Sequence, residues 1–177
     1  MSETMAGAMP RGIRTFVRWV DGLNKYVGLI AMYMVFAMIG ILMYSSFARV
    51  FHWSNLWTLE MAQFAMAAYY MLGGGYSLQE DSHVRMDLLY SRWSPRTRAA
   101  VDAVTVLALL FYLALLLWGG YSSTEYAIYY GETSYSSWSP YMWPVKVIMC
   151  IGIVLIMLQA IATFFKNVAT ARGVDLS

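Results

Sequence analysis

Charge is the scarcest property of this chain. Asp, Glu, Lys and Arg make up 12% of its 177 residues while hydrophobic residues make up 60%, against about 25% charged residues in soluble globular domains. That shortage excludes a water-soluble domain with an ordinary polar surface and assigns the chain to the integral membrane class. Cysteine occurs once, at Cys150 within an apolar run, so an internal disulfide and a cysteine-based metal centre are excluded. Histidine occurs twice, at His52 and His83, near opposite sides of the expected membrane, which excludes a bis-histidine haem. Ionisable residues are also missing from the middle of every long apolar run. Pumps, channels and coupled transporters keep such residues or broken helices at mid-membrane. By itself, therefore, the chain reads as neither a translocation path nor a redox carrier.

What is present is long apolar sequence. A spanning helix needs about 20 mostly apolar residues to cross roughly 30 Å of hydrocarbon, and four segments meet that length: 26–48, 61–79, 103–124 and 147–165. The first is 23 residues long and begins only after 25 others, too long and too late for the 7–15-residue core of a signal peptide, although Ser46-Phe47-Ala48 has a small-x-small pattern. The expected fold is an all-α integral membrane protein, a single domain over 1–177, with four transmembrane helices. An even number of spans puts both termini on one side.

Basic residues then choose the side. Arg11, Arg14, Arg18 and Lys25 precede the first span; Arg85, Arg92, Arg96 and Arg98 fall between the second and third; Lys166 and Arg172 follow the fourth. Only Arg49 and Lys146 lie on the other side. Positively charged loops stay in the cytoplasm, so the pattern predicts an inner membrane protein with both termini cytoplasmic. The bilayer accounts for these cations, and no nucleic acid is called for.

Within the cytoplasmic loop lies the stretch "MLGGGYSLQEDSHVRMDLLYSRWSPRTR", 71–98. Gly73, Gly74 and Gly75 fall near the end of the second span, where each glycine costs up to about 1 kcal/mol relative to alanine. They point to a bend or to close approach of another helix, and Gly73 with Ser77 has the small-xxx-small spacing of helices that touch in lipid. Packing within the chain and contact with a partner subunit are both open at this point. Ser82 can cap a short interfacial helix over 82–93, with Met86, Leu89 and Trp93 on one side. His83, Arg85 and Asp87 form a polar turn whose spacing matches no catalytic or metal motif. Ser94-Pro95 opens the next helix, serine as cap and proline at the first position.

The opposite side is aromatic. Glu60 stands in the first turn of the second span, where a carboxylate complements the helix N-terminus. The loop before the fourth span carries Glu125 and Glu132 among Tyr126, Tyr129, Tyr130, Tyr135, Trp138, Tyr141 and Trp143, an aromatic belt long enough to offer a docking surface as well.

The run "LWTLEMAQFAMAAYYMLGGGYSLQEDSHVRMDLLYSRWSPRTRAAVD" and the later "YGETSYSSWSPYMWPVKVIMCIG" together resemble the DctQ-like small membrane subunit of tripartite ATP-independent periplasmic (TRAP) transporters. Three places carry the resemblance: Trp57 with Glu60, the glycine-rich end running into 83–89, and Gly131-Glu132-Thr133 followed by Trp143-Pro144-Val145-Lys146. The chain departs from the family at Leu59 and Gln63, where members often have a second acid and an arginine, and at Cys150, where many have proline; the latter predicts a straighter fourth helix.

The resemblance implies a small subunit that is not an enzyme and has no cofactor of its own. It would brace a large DctM-like membrane subunit, which carries the sodium sites, during sodium-driven uptake of an organic acid delivered by a DctP-like periplasmic binding protein. Candidate subunit contacts are Glu60, Gly73, Gly74, Gly75, Ser77, His83, Arg85, Asp87 and Lys146; candidate periplasmic docking residues are Glu125, Glu132 and Trp138. The alternatives are an anchor subunit of a redox or other membrane enzyme, which would need ligands, and a self-contained small exporter, which would need a charge within a span.

Overall fold

The computed structural model describes residues 11–53, 55–80 and 95–171. Four helices are seen among them: α1 (Arg11–Val50), α2 (Thr58–Gln79), α3 (Pro95–Tyr129) and α4 (Trp143–Ala171). The expected interfacial helix over 82–93, with His83, Arg85 and Asp87, lies outside the described residues.

Each helix runs past the apolar segment that predicts it. At 1.5 Å per residue the 40 residues of α1 reach about 60 Å, twice the hydrocarbon thickness. The surplus lies before residue 26, where Ile13, Phe16, Val17 and Val20 form an apolar stripe packed against Leu158, Ala162 and Phe165 of α4. Tertiary burial, not the bilayer, holds this segment helical. Three helices are both long and apolar enough to cross a membrane: Gly12–Val50, Val104–Tyr129 and Trp143–Lys166 among the described residues. The 22 residues of α2 suffice in length, but Glu60, Gln63, three glycines and three tyrosines dilute its apolar content. Its position compensates, because α2 packs between α1 and α4.

Contacts place the helices in a row, in the order α1, α2, α4, α3, with a smaller contact between α1 and α4. The row is open, not a closed four-helix ring. Helix α3 rests on α4 through Leu113, Ile153 and their neighbours, and its other side is bare: Phe111 and Trp118 are 68% and 80% exposed.

Candidate subunit interfaces

Backbone geometry explains two of the loops. Helix α1 ends with the Trp53 N–H donating to the Ala48 carbonyl at 2.9 Å, with His52 at φ 56°. Helix α3 ends in the same way, the Glu132 N–H donating to the Ala127 carbonyl at 3.0 Å, with Gly131 at φ 61°. Both are Schellman endings, which call for a left-handed residue that glycine adopts freely and histidine does not. Beyond Gly131 the chain folds into a short hairpin in which Met142 N–H donates to Glu132 O and Ser134 N–H to Pro140 O, each at 2.9 Å, around a bridge between Thr133 and Tyr141. That fold brings the Lys146 Nζ to 2.5 Å from the Glu132 Oε2. The pair closes the hairpin onto the first turn of α4. Lys146 and Glu132, considered separately as subunit and docking contacts, thus meet each other within the chain.

The α1–α2 connection is tied by side chains. Asn55 Nδ2 donates to the Ser45 carbonyl and hydroxyl, both at 3.2 Å, and the Thr58 hydroxyl donates to Asn55 O at 2.9 Å while lying 3.1 Å from Ser45 Oγ. Nearby, Glu60 is 8% exposed, and its Oε2 has no hydrogen-bond donor among the described residues. Between α3 and α4 the Thr124 hydroxyl donates to Gly120 O at 2.7 Å and lies 3.4 Å from Cys150 Sγ. Helix α4 continues through Cys150 unbroken.

At the other end of the row lies a network that sequence reasoning missed. Asn24 Nδ2 donates to Gln159 Oε1 at 2.8 Å, Gln159 Nε2 donates to Asp21 Oδ1 at 3.0 Å, and Lys166 Nζ reaches both Asp21 oxygens at 2.8 and 3.0 Å. Asn24 and Gln159 are fully buried. The network links α1 to α4 by buried amides first and a partly exposed ion pair second. One sequence signal pointed here: Gln159 is the sole amide within the apolar run 147–165, and a buried amide needs a partner.

The glycines serve this junction. A Cβ at Gly75 would collide with Asn24 Oδ1 and stand 3.6 Å from the Leu155 carbonyl oxygen, so α1, α2 and α4 converge on that one hydrogen atom. Among the described residues Asn24 Oδ1 has no N–H or O–H donor, and it faces the Gly75 backbone. A Cβ at Gly74 would sit 2.8 Å from Ile156 Cδ1, and one on Gly152 of α4 2.8 Å from the Met71 backbone. Gly28 of α1 likewise receives Tyr76, at 2.6 Å from the Cβ it lacks. Gly73 is different: a Cβ there would make an ordinary 3.7 Å contact with Ala31. The close approaches at Gly74 and Gly75 are therefore to helices of this chain, and Ser77 lies half-buried beside them.

Besides the bare side of α3, outward-facing surface remains in two places. Glu125 and Trp138 are exposed on the hairpin side with Tyr126, Tyr129 and Tyr135. Along α1, Phe36, Met43 and Phe47 are exposed over the length of the helix.

Residues 38–170 match the family described as tripartite ATP-independent periplasmic transporters, DctQ component. The chain belongs to the DctQ family. No curated protein and no solved structure matches it. The chain is accordingly a small membrane component of a TRAP transporter, a transport subunit of the bacterial inner membrane. The matched region takes in Trp57 and Glu60, the glycines of α2, Gly131 to Thr133 and Lys146, and also Gln159 and Lys166. Asp21 and Asn24 precede it.

Proposed function

We propose that this DctQ-family chain is the brace of the transporter, holding a large DctM-like subunit in place while that subunit carries an organic acid inward with sodium. One observation supports the reading above the others: the open row. The polar side chains tie α1, α2 and α4 to one another, whereas α1 and α3 turn long apolar faces outward. Such a layer offers broad helical surface to lipid and to a partner. Sodium and substrate are assigned to the large subunit. Glu60, with one carboxylate oxygen unmatched among the described residues, is the contact residue of choice for that partner. Glu125 and Trp138 are those for a DctP-like binding protein.

In the proposed topology all four helices span the inner membrane, with both termini cytoplasmic and the Glu132–Lys146 hairpin periplasmic. Cysteines at Gly12 and Ser137, each introduced in a Cys150→Ser background, test it. An impermeant thiol reagent applied to intact spheroplasts should label Ser137→Cys only; labelling of Gly12→Cys alone would reverse the orientation. The bracing role is tested in proteoliposomes containing the large subunit and the binding protein. Sodium-driven uptake should require this chain, and full uptake without it would refute the role.

A further inference from the structure

Between α1 and α2 an open groove of about 590 Å³ runs from Gly22 and Lys25 past Gly28 to Val35 of α1, with Tyr69 and Gly73 on the α2 side. Its floor is made of small residues, since Gly28, Ala31 and Gly73 lie where the two helices approach. Its walls are apolar or aromatic. Among the described residues its one charged lining residue is Lys25, at the end nearer the start of α1.

The groove continues into a basic stripe. At 100° per residue, Arg14, Arg18, Gly22, Lys25, Leu29 and Met32 fall on one face of α1. Arg14, Arg18 and Lys25 are all exposed. Asp21, the one acid nearby on this helix, is engaged by Lys166, so no other acid of α1 faces these three cations. Gly22 leaves a gap between Arg18 and Lys25, with nothing within 4 Å of the position a Cβ would take.

Length and charge suit a lipid. From Gly22 to Val35 the groove runs roughly 20 Å at 1.5 Å per residue, comparable to one leaflet's share, about 15 Å, of the hydrocarbon plus the headgroup boundary. An extended hydrocarbon chain is a rod thin enough to lie along its small-residue floor. An anionic headgroup matches the cations at the mouth, where each basic residue contributes about 1 kcal/mol toward an anionic lipid.

We propose that the α1–α2 groove is a binding site for an anionic phospholipid, its phosphate over Gly22 between Arg18 and Lys25 and one acyl chain lying along Gly28, Ala31 and Gly73. Assignment to the cytoplasmic leaflet rests on the topology proposed above. The site itself does not.

The test uses the full chain in complex with its large subunit in nanodiscs, where both leaflets are equivalent and orientation has no bearing. Phosphatidylglycerol carrying a photoreactive diazirine in its acyl chain is doped into phosphatidylcholine, and crosslinked residues are mapped by mass spectrometry. Labelling should concentrate on Met32, Val35 and Tyr69 relative to Phe111 and Leu115, which are exposed residues of α3. Arg18→Gln and Lys25→Gln should each reduce groove labelling about fivefold, the factor that about 1 kcal/mol gives, while Lys25→Arg retains it. Gly73→Leu, which fills the floor, should abolish it. Equal groove labelling by a matched phosphatidylcholine probe would overturn the headgroup assignment. An unlabelled groove that instead crosslinks to the large subunit would show a protein occupant and overturn the proposal. The charge variants leave the helix contacts intact, so the outcome does not depend on whether Gly73→Leu folds.

Discussion

At the end of the row that holds both termini, the polar ties join residues 135 to 145 positions apart, Asn24 to Gln159 and Asp21 to Lys166. At the hairpin end, the ion pair joins residues only 14 apart, Glu132 and Lys146. The first kind fixes which helices are neighbours. The second folds one loop back onto the helix that follows it, and Lys146 also reaches the Ser123 carbonyl near the end of α3, at 3.4 Å. Of these two ties the terminal one is also the more buried, with amides at zero exposure and a glycine nested against them, while the Glu132–Lys146 pair stays partly exposed. Stability of the subunit should therefore depend unequally on its two ends.

The largest effect is expected at Gly75. Its Cβ would drive Asn24 out of its hydrogen bond to Gln159, so Gly75→Ala should cost about 2–4 kcal/mol from overpacking and the lost bond. Equilibrium unfolding of the purified subunit in mixed micelles measures this. Gly73→Ala is the internal control and should be close to neutral, because its Cβ makes ordinary contact. If both alanine variants behave alike, the junction at Asn24 is not the stronger of the two ends.

A smaller effect is expected from the amides themselves. A double-mutant cycle between Asn24→Ala and Gln159→Ala should return a coupling of about 0.6–1.7 kcal/mol, the range for interhelical hydrogen bonds within membranes. The corresponding cycle between Glu132→Ala and Lys146→Ala should return about 1 kcal/mol or less for a partly exposed pair. It should also shrink in high salt, whereas the buried amide coupling should not. Equal salt sensitivity at both ends would erase the distinction.

The smallest effects concern the two left-handed residues. Gly131→Ala should destabilise by about 1 kcal/mol, since a Cβ is unfavourable at positive φ. His52→Gly should do the reverse, raising the midpoint of thermal unfolding by a few degrees at most. The two substitutions exchange glycine and non-glycine at equivalent Schellman positions, so opposite signs are the check.

Local chemistry and composition made half of this legible in sequence. Pro95 opens α3 as the Ser94-Pro95 pair predicts, and the apolar runs locate all four helices, because such signals are carried by neighbouring residues. The Gly131-Glu132-Thr133 and Trp143-Pro144-Val145-Lys146 segments were recognisable as family motifs, but their pairing required the hairpin that brings them together. The terminal network was not legible, since Asn24 and Gln159 lie far apart in the chain and nothing in either segment names the other. The helical extension before residue 26 was equally hidden. Apolarity there is tuned to another helix rather than to lipid, and Arg14, Arg18 and Asp21 mask it in any hydropathy average. The three glycines posed the right question about close approach, and the answer depended on which residue of the triplet faced Asn24.

The nesting at Gly75 has a mechanical side. Sliding α2 by one helical turn, about 5.4 Å, would replace Gly75 with Met71 or Gln79 opposite Asn24, and neither fits where only a hydrogen fits now. Gly74 against Ile156 and Gly152 against Met71 oppose the same slide from the α4 side. The contacts work as a detent, so α1, α2 and α4 transmit axial load as a single body. Helix α3, seated mainly on α4 among the described residues, lies outside that lock.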